Sequence, residues 1–424
     1  MPEFSRPRGT RDFGPAEMER RRAAEVQLRE IMRRFGYREV ATPAFENLEL
    51  FTAKSGEGVL RQLYHFQDKG GRDLTLRPEL TAPALRYYVA EHQNAPKPVK
   101  WFYFGNCFRY EEPQSGRYRE FWQMGCELIG PQTPEAVAEV VALASACFAS
   151  LGLENVELRV GHVGLVKSLL AGLPLNDADR GEAHRRIDKK DAALDSFLEA
   201  KGVGKKEREA IVTVATTVGE AATIERARGV LAGFPAAMTA LSELADVASL
   251  LPAFGVPTFL VDLGVVRGLD YYTGVVFEFH SPDLGAESQV CGGGAYALAE
   301  LFGGQPVGSI GFGLGFDRSL VALERAGRAA APAPKLSAFV VPIGEKARAE
   351  GFRLASRLRA AGLAVDVDLM RRGPSKSLDY ANAVGAKSVV LLGEKELSRG
   401  VATVKDMQSG EQREVPLDAI AGAL

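Results

Sequence analysis

Residues 99–112, VKWFYFGNCFRYEE, and residues 116–130, GRYREFWQMGCELIG, carry the pattern that decides the fold. Both segments are rich in aromatic and apolar residues, as strands usually are. The stretch that joins them, EPQSG (residues 112–116), has the proline and glycine of a turn. We therefore predict that the two segments form a long antiparallel hairpin.

The return strand of this hairpin has one apolar face and one polar face. Side chains alternate across a strand, and one face consists of Trp122, Met124, Cys126 and Leu128. The opposite face consists of Arg117, Arg119, Phe121, Gln123, Gly125 and Glu127. Cross-strand ion pairs on a solvated face are the common explanation of such charges. The polar face therefore lines a cleft or faces water, and the sequence leaves both open.

On the N-terminal side of the hairpin, the chain predicts one long helix and short strands. Residues 16–36 have the helical period of an amphipathic helix that ends near Gly36, with an apolar stripe made of Met18, Ala24, Val26, Leu28, Ile31, Met32 and Phe35. The pattern of residues 38–45 and 72–80 predicts short β-strands.

On the C-terminal side, residues from about 160 to 255 are helical and charged, and strand patterns return after residue 256 in TFLVDLG, TGVVFEFH and VGSIGFGLG. Residues 328–335, RAAAPAPK, have no hydrophobic period and predict a linker. Beyond the linker, strand and helix patterns alternate, which predicts a small α/β domain with partly parallel strands.

The composition is that of an ordinary globular protein, with 46% hydrophobic and 25% charged residues. The formal net charge is −2, so any contact with nucleic acid must rest on local patches. No apolar run approaches the ~20 residues of a membrane span, and the N-terminus lacks the apolar core of a signal peptide. The cysteines are far apart and the histidines scattered, which argues against a metal site and indicates structural thiols in a cytoplasmic protein.

Two glycine-containing segments are candidates for ligand binding. Residues 261–279 place Arg267, Tyr271 and Tyr272 between strand-like segments, although paired tyrosines are also common in cores. In residues 307–320, alternation along a predicted strand leaves one face without side chains, at Gly311, Gly313 and Gly315. Such a face indicates that another backbone or a flat ligand packs there.

Three side chains near these segments extend the candidate site. Arg318 follows the glycines at the start of a helix, where a cation gains nothing from the helix dipole. Either an anionic ligand or a surface ion pair would explain an arginine at this position. Glu79 and Thr81 are two residues apart and share one side if the chain is extended there.

Taken together, these segments resemble histidyl-tRNA synthetases over nearly the whole chain. The matching stretches are RPRGTRDF, TLRPE, FRYEEPQSGRYREFWQMGCELIG, VRGLDYYTG and GFGLGFDR. The hairpin resembles motif 2 of class II synthetases, GFGLGFDR resembles motif 3, and YREVATPAFE, with Pro43, resembles the motif 1 dimerisation element. VRGLDYYTG is the element specific to the histidine enzymes.

The resemblance implies a fold and a division into domains. The fold is an α+β catalytic domain on an antiparallel sheet, with a helical insertion and a C-terminal α/β anticodon-binding domain. The implied boundaries are 1–160 and 256–327 for the catalytic domain, 161–255 for the insertion, 328–335 for the linker and 336–424 for the anticodon-binding domain. It further implies a cytoplasmic homodimer without membrane association, which uses ATP, histidine and tRNA(His), with Mg²⁺ expected.

The resemblance also implies roles for single residues. Arg109 and Arg318 would hold the ATP phosphates, with Gly313 and Gly315 under the adenosine, and Arg267 would contact the α-phosphate and the histidine carboxylate. The histidine pocket would consist of Glu79, Thr81 and Gln123 at the amino end, Glu127 and Tyr272 at the imidazole, and the adjacent Tyr271. Gln114 and Arg117 would reach the acceptor end of the tRNA.

Two departures from the family pattern leave rival functions open. In CGGGAY, residues 291–296, Ala295 stands where the family's glycine run usually continues with arginine before the tyrosine. Glu112 stands where many bacterial members have arginine. The rivals are the synthetase-like regulatory subunit of ATP phosphoribosyltransferase, a paralogue that activates an amino acid for another carrier, and a different class II synthetase. The domain after residue 335 argues against the first, and VRGLDYYTG argues against the last.

Arg267 provides the first test. A delocalised positive charge against the α-phosphate stabilises the charge that develops there, so we expect Arg267→Ala to slow adenylate formation by roughly 100-fold or more. The protein should still fold, because the role is electrostatic. Histidine-dependent exchange of pyrophosphate into ATP measures the effect, and a folded variant with near-normal exchange would falsify the assignment.

Overall fold

The computed structural model describes residues 4–55, 57–112, 117–265, 271–328 and 336–424. The chain divides into two compact units, Met1–Ala331 and Pro332–Leu424. Several predictions lie outside the described residues: the hairpin turn with Gln114, the residue Arg267 and the linker after residue 328.

The first unit consists of strands in one large and one small sheet, with helices around them. The strands are β1 (Arg38–Glu39), β2 (Phe45–Asn47), β3 (His65–Gln67), β4 (Asp73–Leu76), β5 (Val99–Phe108), β6 (Glu120–Gly130), β7 (Glu157–His162), β8 (Val218–Gly219), β9 (Leu260–Asp262), β10 (Tyr272–His280), β11 (Gln289–Tyr296) and β12 (Gly308–Gly315). The helices are α1 (Pro15–Arg34), α2 (Glu49–Ser55), α3 (Thr81–Tyr87), α4 (Pro134–Leu151), α5 (Val163–Ala171), α6 (Asp177–Asp188), α7 (Leu194–Ala200), α8 (Lys205–Thr216), α9 (Ala222–Leu231), α10 (Pro235–Leu250) and α11 (Phe316–Arg325).

The large sheet has the strand order β1-β5-β6-β12-β11-β10-β7-β9-β8. Its centre is antiparallel from β5 to β7. Strands β5 and β6 pair continuously, from Val99 opposite Ile129 to Phe108 opposite Glu120. The predicted hairpin and the predicted antiparallel sheet are therefore confirmed. The small sheet has the order β2-β4-β3.

The apolar face of the return strand lies in the main core. Met124, Cys126 and Leu128 are buried there, and Trp122 packs against them. Helices α1 and α4 supply much of the other side of this core, through residues such as Leu28. Because this face is fixed in the core, the polar residues of β6 are directed to the opposite side of the sheet.

Helix α1 confirms the predicted amphipathic helix, with one exception. Its buried apolar residues are Ala24, Leu28 and Met32, and Gly36 follows with φ +81°, which glycine adopts without strain. The prediction for Val26 is wrong, since its side chain is 63% exposed. Successive helical residues are separated by about 100°, so a position two residues from Ala24 and Leu28 faces away from their stripe.

The predicted helical stretch consists of α5 to α10 and shares its core with the large sheet. Val214 on α8 and Leu241 on α10 belong to the same buried cluster as Met124. A short strand, β8, was not predicted in this stretch, and it extends the sheet by pairing with β9.

Helix α4 is the one described helix that is long and apolar enough to cross a membrane, judged by length and composition alone. In the fold, 61% of this helix is buried, and many of its residues, Val140 and Leu143 among them, belong to the main core cluster. Its apolar composition is thus explained by packing inside the protein.

The second unit alternates strands and helices, as predicted. Its elements are β13 (Ala338–Pro342), α12 (Glu345–Ala360), β14 (Val365–Val367), α13 (Pro374–Ala383), β15 (Ser388–Leu392), α14 (Glu394–Ser398), β16 (Val401–Asp406), β17 (Gln412–Pro416) and α15 (Ile420–Ala423). The sheet order is β14-β13-β15-β16-β17. β13 pairs in parallel with β14 and β15, which confirms the α/β prediction, whereas β16 and β17 add an antiparallel hairpin that was not predicted.

Candidate active site

A cavity of about 440 Å³ lies against the centre of the large sheet. Residues from β5, β6, β10, β11 and β12 line it, together with the first residues of α11. Ten of the predicted site residues share this lining: Glu79, Thr81, Arg109, Arg117, Gln123, Tyr271, Tyr272, Gly313, Gly315 and Arg318. The structure therefore brings together residues that are up to 239 positions apart in the sequence, from Glu79 to Arg318.

The polar face of β6 faces this cavity, which answers the question that the sequence left open. Phe121 and Gln123 are in the cavity wall. Gln123 also accepts a hydrogen bond from the Cys107 thiol on β5, with Sγ 3.4 Å from Oε1. Arg119 lies at the edge of this face, where it stacks on Tyr110 at 4.1 Å and donates to the carbonyl of Glu111.

Glu127 lies one layer below the cavity wall and is fully buried. Its carboxylate accepts hydrogen bonds from two phenols, the Tyr103 hydroxyl at 2.7 Å and the Tyr296 hydroxyl. Both tyrosines line the cavity. A carboxylate has about four acceptor sites, and the two phenols occupy two of them. Burial and the Glu127 charge hold the pKa of Tyr103 well above its usual range, so this phenol stays protonated.

Gly311, Gly313 and Gly315 on β12, with Gly292 on β11, line the cavity with backbone alone. We call these four residues the glycine surface. A Cβ at Gly311 would lie 2.2 Å from Glu127 Oε2, so this position is required for the buried carboxylate. A Cβ at Gly313 would meet only Gln123 Nε2, at 3.9 Å, and would otherwise project into open space. The predicted face without side chains therefore exists, and all three of its glycines on β12 line the cavity.

The arginines of the site stand at different parts of the cavity wall. Arg109 Nε donates to the carbonyl of Pro78 at 2.9 Å, and its guanidinium lies 5.2 Å from the Phe121 ring centre. Arg318 belongs to the first turn of α11. Arg117 has its Nε 3.6 Å from the Glu111 carboxylate, a long distance for an ion pair.

Glu79 and Thr81 lie where β4 leads into α3. The Glu79 carboxylate accepts from the backbone N–H of Thr81 at 2.6 Å and of Ala82 at 3.0 Å, so it caps the first turn of α3. The Thr81 hydroxyl is 3.1 Å from the Tyr103 hydroxyl. Thr81 and Glu127 thus share a single tyrosine as a hydrogen-bond partner.

Tyr271 and Tyr272 stack on each other, with ring centres 4.6 Å apart. Burial and the neighbouring Tyr272 raise the pKa of Tyr271 well above its usual range. Lys167 on α5 donates to the carbonyl of Tyr272 at 2.7 Å, which fixes the backbone where β10 begins. The helical stretch thereby holds one end of the segment that contains the tyrosine pair.

Two residues of the site, Tyr103 and Tyr296, were not predicted from the sequence. Tyr103 is directly opposite Gly125 in the hairpin, so strand alternation could have placed it on the same face as Glu127. Tyr296 ends the CGGGAY run, and its hydroxyl reaches Glu127 from a position 169 residues away. Only the sheet order could reveal that contact.

The structure also shows the surroundings of Ala295 and Glu112, the two residues that depart from the family pattern. Ala295 packs against the main core, and alternation along β11 puts it on the face opposite Tyr296. It therefore does not belong to the polar network around Glu127. Glu112 pairs with Arg8 at 3.0 Å, so an arginine of the N-terminal segment balances its charge.

The cysteines of this chain are free and buried. Burial raises the pKa of Cys107 and of Cys147 to about 12, so these thiols stay protonated at neutral pH. Within the described part of the chain, no group of three or more His, Cys, Asp or Glu side chains converges to hold a metal ion.

Comparison with known proteins agrees with this architecture. Residues 9–318 match the family model for histidyl-tRNA synthetase, and residues 337–424 match the anticodon binding domain. A curated histidine–tRNA ligase from Archaeoglobus fulgidus is 45% identical over 411 residues, which is 97% of each chain. The crystal structure of the apo histidyl-tRNA synthetase from S. aureus superposes with a TM-score of 0.73 at 30% identity and covers 99% of each chain.

A third relative bears on the rival functions. A protein from Bacillus halodurans, described as an ATP phosphoribosyltransferase regulatory subunit/histidyl-tRNA synthetase, superposes with a TM-score of 0.79 at 27% identity, over 92% of this chain and 98% of that one. The A. fulgidus ligase is more similar in sequence and matches almost the full length, anticodon-binding region included.

The antiparallel sheet, its polar hairpin and the glycine surface followed by an arginine define a class II aminoacyl-tRNA synthetase. The near-full-length relatives and the family model then specify the member of that class: the chain belongs to the histidyl-tRNA synthetase family.

Proposed function

We propose that this protein is a histidine–tRNA ligase, which activates histidine with ATP and transfers it to the 3′ end of tRNA(His). The observation that carries the proposal is the single cavity that gathers the polar hairpin face, the glycine surface and Arg109 and Arg318. The match of residues 337–424 to the anticodon binding domain supports it over a regulatory subunit that lacks this domain.

The chemistry suits these residue types. In the first step a carboxylate oxygen of histidine attacks the α-phosphate of ATP, and the bond to pyrophosphate breaks. In the second step a terminal hydroxyl of the tRNA attacks the activated carbonyl and releases AMP. Catalysis of the first step consists mainly of positioning and of neutralising charge, and the fixed, always-charged fork of arginine provides both. No nucleophilic side chain is required.

For ATP, we assign the phosphates to Arg109 and Arg318 and the adenosine to the glycine surface at Gly313 and Gly315. The open space above Gly313 supports this assignment, because a flat base can approach backbone more closely than it can approach side chains. Arg267, outside the described residues, is assigned to the α-phosphate by its position in VRGLDYYTG.

For histidine, we assign the α-amino end to Glu79, Thr81 and Gln123, and the imidazole to Glu127 and Tyr272, next to Tyr271. The buried carboxylate of Glu127 and the two phenols bonded to it support a pocket for a ligand with two nitrogen atoms to satisfy. A pocket of this kind rejects an isostere that cannot bond, because buried polar groups would be left unpaired.

Magnesium would enter with ATP, since Mg²⁺ usually binds through phosphates, waters and one or two carboxylates. Among the described residues, three carboxylates line the cavity. Two of them are engaged: Glu79 accepts from the first backbone N–H groups of α3, and Asp317 pairs with arginines. We assign the third, Glu111, as the magnesium ligand; its carboxylate lies 3.6 Å from Arg117 Nε. When bound, the ion would neutralise phosphate charge.

The remaining assignments concern partners and domains. We assign the tRNA acceptor end to Gln114 and Arg117 and the anticodon to residues 336–424, after a linker at 328–335. We also infer a cytoplasmic homodimer without membrane association. Exposed aromatic side chains on the small sheet, Phe45 at 54% and Phe66 at 43%, support a partner surface next to the motif 1 segment.

Glu127→Gln tests the histidine pocket. A hydrogen bond to a charged partner is typically worth about 1.5–3 kcal/mol, so loss of the charge should raise KM for histidine roughly 10- to 150-fold. KM for ATP should change far less, because the volume is preserved. Glu120→Gln on the same strand, which bonds Asn106, is the matched control. Equal changes in both KM values, or a loss only in Tm, would remove Glu127 from the pocket.

Gly313→Ala tests the assignment of adenosine to the glycine surface. The new methyl group meets open space within the protein, so Tm should stay nearly unchanged. Overpacking against a bound base should cost about 1–3 kcal/mol and raise KM for ATP roughly 5- to 150-fold. Gly229→Ala on α9, which also meets open space, serves as the control. Unchanged KM for ATP in the Gly313 variant would contradict the assignment.

The function itself is tested on the full chain by two assays. We expect exchange of pyrophosphate into ATP that depends on histidine and not on other amino acids, followed by charging of purified tRNA(His). Exchange without charging would indicate a different acceptor. Absence of both reactions would indicate a regulatory paralogue.

A further inference from the structure

The N-terminal segment, residues 4–14, packs against both sides of the motif 2 hairpin. The backbone N–H of Arg119, on the return side, donates to the carbonyl of Gly9 at 2.8 Å. On the outgoing side, Arg8 pairs with Glu112 at 3.0 Å. Gly9 has φ +85°, a conformation that favours glycine. The segment therefore spans the hairpin close to the residues that flank its turn.

Arg11 of this segment binds the carboxylate at the start of α11. Its Nη2 is 2.6 Å from Asp317 Oδ1, and Arg21 on α1 reaches the same oxygen at 2.7 Å. The other oxygen accepts from the backbone N–H of Trp122 at 2.6 Å. Asp317 is only 2% exposed and directly precedes Arg318. These contacts tie the first turn of α11 to β6 beside Gln123.

Arg11 also contacts a second residue of the cavity wall. Its guanidinium lies 3.4 Å from the centre of the Tyr118 ring, which is within the range of a cation–π contact. Tyr118 and Asp317 both line the cavity. One arginine thus links the return side of motif 2 to the start of motif 3.

Arg11 is not needed to neutralise the charge of Asp317. Arg21 is 4% exposed and already supplies a buried positive charge for the single carboxylate. Arg11 is more exposed, at 19% of its side chain. Its charge is therefore additional, and it binds the residue that directly precedes Arg318, for which the proposed function assigns contact with the ATP phosphates.

We infer that Arg11 is a positioning residue for ATP: it holds the first turn of α11, with Arg318, and the Tyr118 side of the hairpin in the arrangement that receives the triphosphate. This inference rests on the proposed function, since it assumes that Arg318 contacts ATP. The proposed histidine pocket lies deeper in the cavity, around the buried Glu127, whereas Arg11 contacts Asp317 and Tyr118.

Arg11→Met separates positioning from folding. Small displacements of positioning groups can cost up to about 100-fold, so kcat/KM for ATP in pyrophosphate exchange should fall about 10- to 100-fold. KM for histidine and Tm should change little, because Arg21 still neutralises Asp317. Arg11→Lys keeps the charge without the planar fork and should restore only part of the loss. Arg6→Met, an exposed arginine of the same segment, is the control and should behave as the unmodified protein.

The outcomes distinguish a failure of the inference about Arg11 from a failure of the proposed function. Unchanged kcat/KM for ATP in Arg11→Met, equal loss for both substrates, or failure of Arg11→Met to fold would each overturn the inference and leave the proposed function standing. Absence of histidine-dependent exchange in the unmodified protein would overturn the proposed function, and the inference with it.

Discussion

A fully buried carboxylate, Glu127, constrains the centre of the sheet more than any other group. An isolated charge in a protein interior is costly unless donors satisfy it. Here the donors are the hydroxyls of Tyr103 and Tyr296, from β5 and β11. The carboxylate also needs space, because a side chain at Gly311 would collide with Oε2. The tyrosines of two other strands and the glycine at position 311 of β12 are thus tied to a single buried charge.

The same constraint explains how the site and the core coexist on one sheet. Alternation along β6 directs Met124 and Cys126 into the core and Gln123 and Glu127 to the cavity side. A slip of one residue would exchange these faces. Because Met124 and Cys126 would lose their place in the core after such a slip, burial of this face fixes the observed register with β5.

Much of this arrangement could be predicted from the sequence, because it depends on local periodicity. The hairpin, α1 and the alternating C-terminal unit follow from patterns within single segments. The pattern was less informative at β16 and β17, where charged residues such as Lys405 and Asp406 obscure the strand signal. The contact between Arg11 and Asp317 joins residues 306 positions apart. No local rule contains such a pairing, since it exists only once the sheet has brought α11 beside the N-terminal segment.

The glycine surface has a consequence for resistance to inhibitors. A compound that stacks on backbone at Gly292 and Gly313 contacts atoms that every amino acid shares, so mutation cannot delete the contact. Mutation can only add a side chain there, and an added side chain occupies the same space as the proposed nucleotide. Resistance at this surface would therefore reduce the enzyme's own use of ATP, whereas resistance at a wall made of side chains need not.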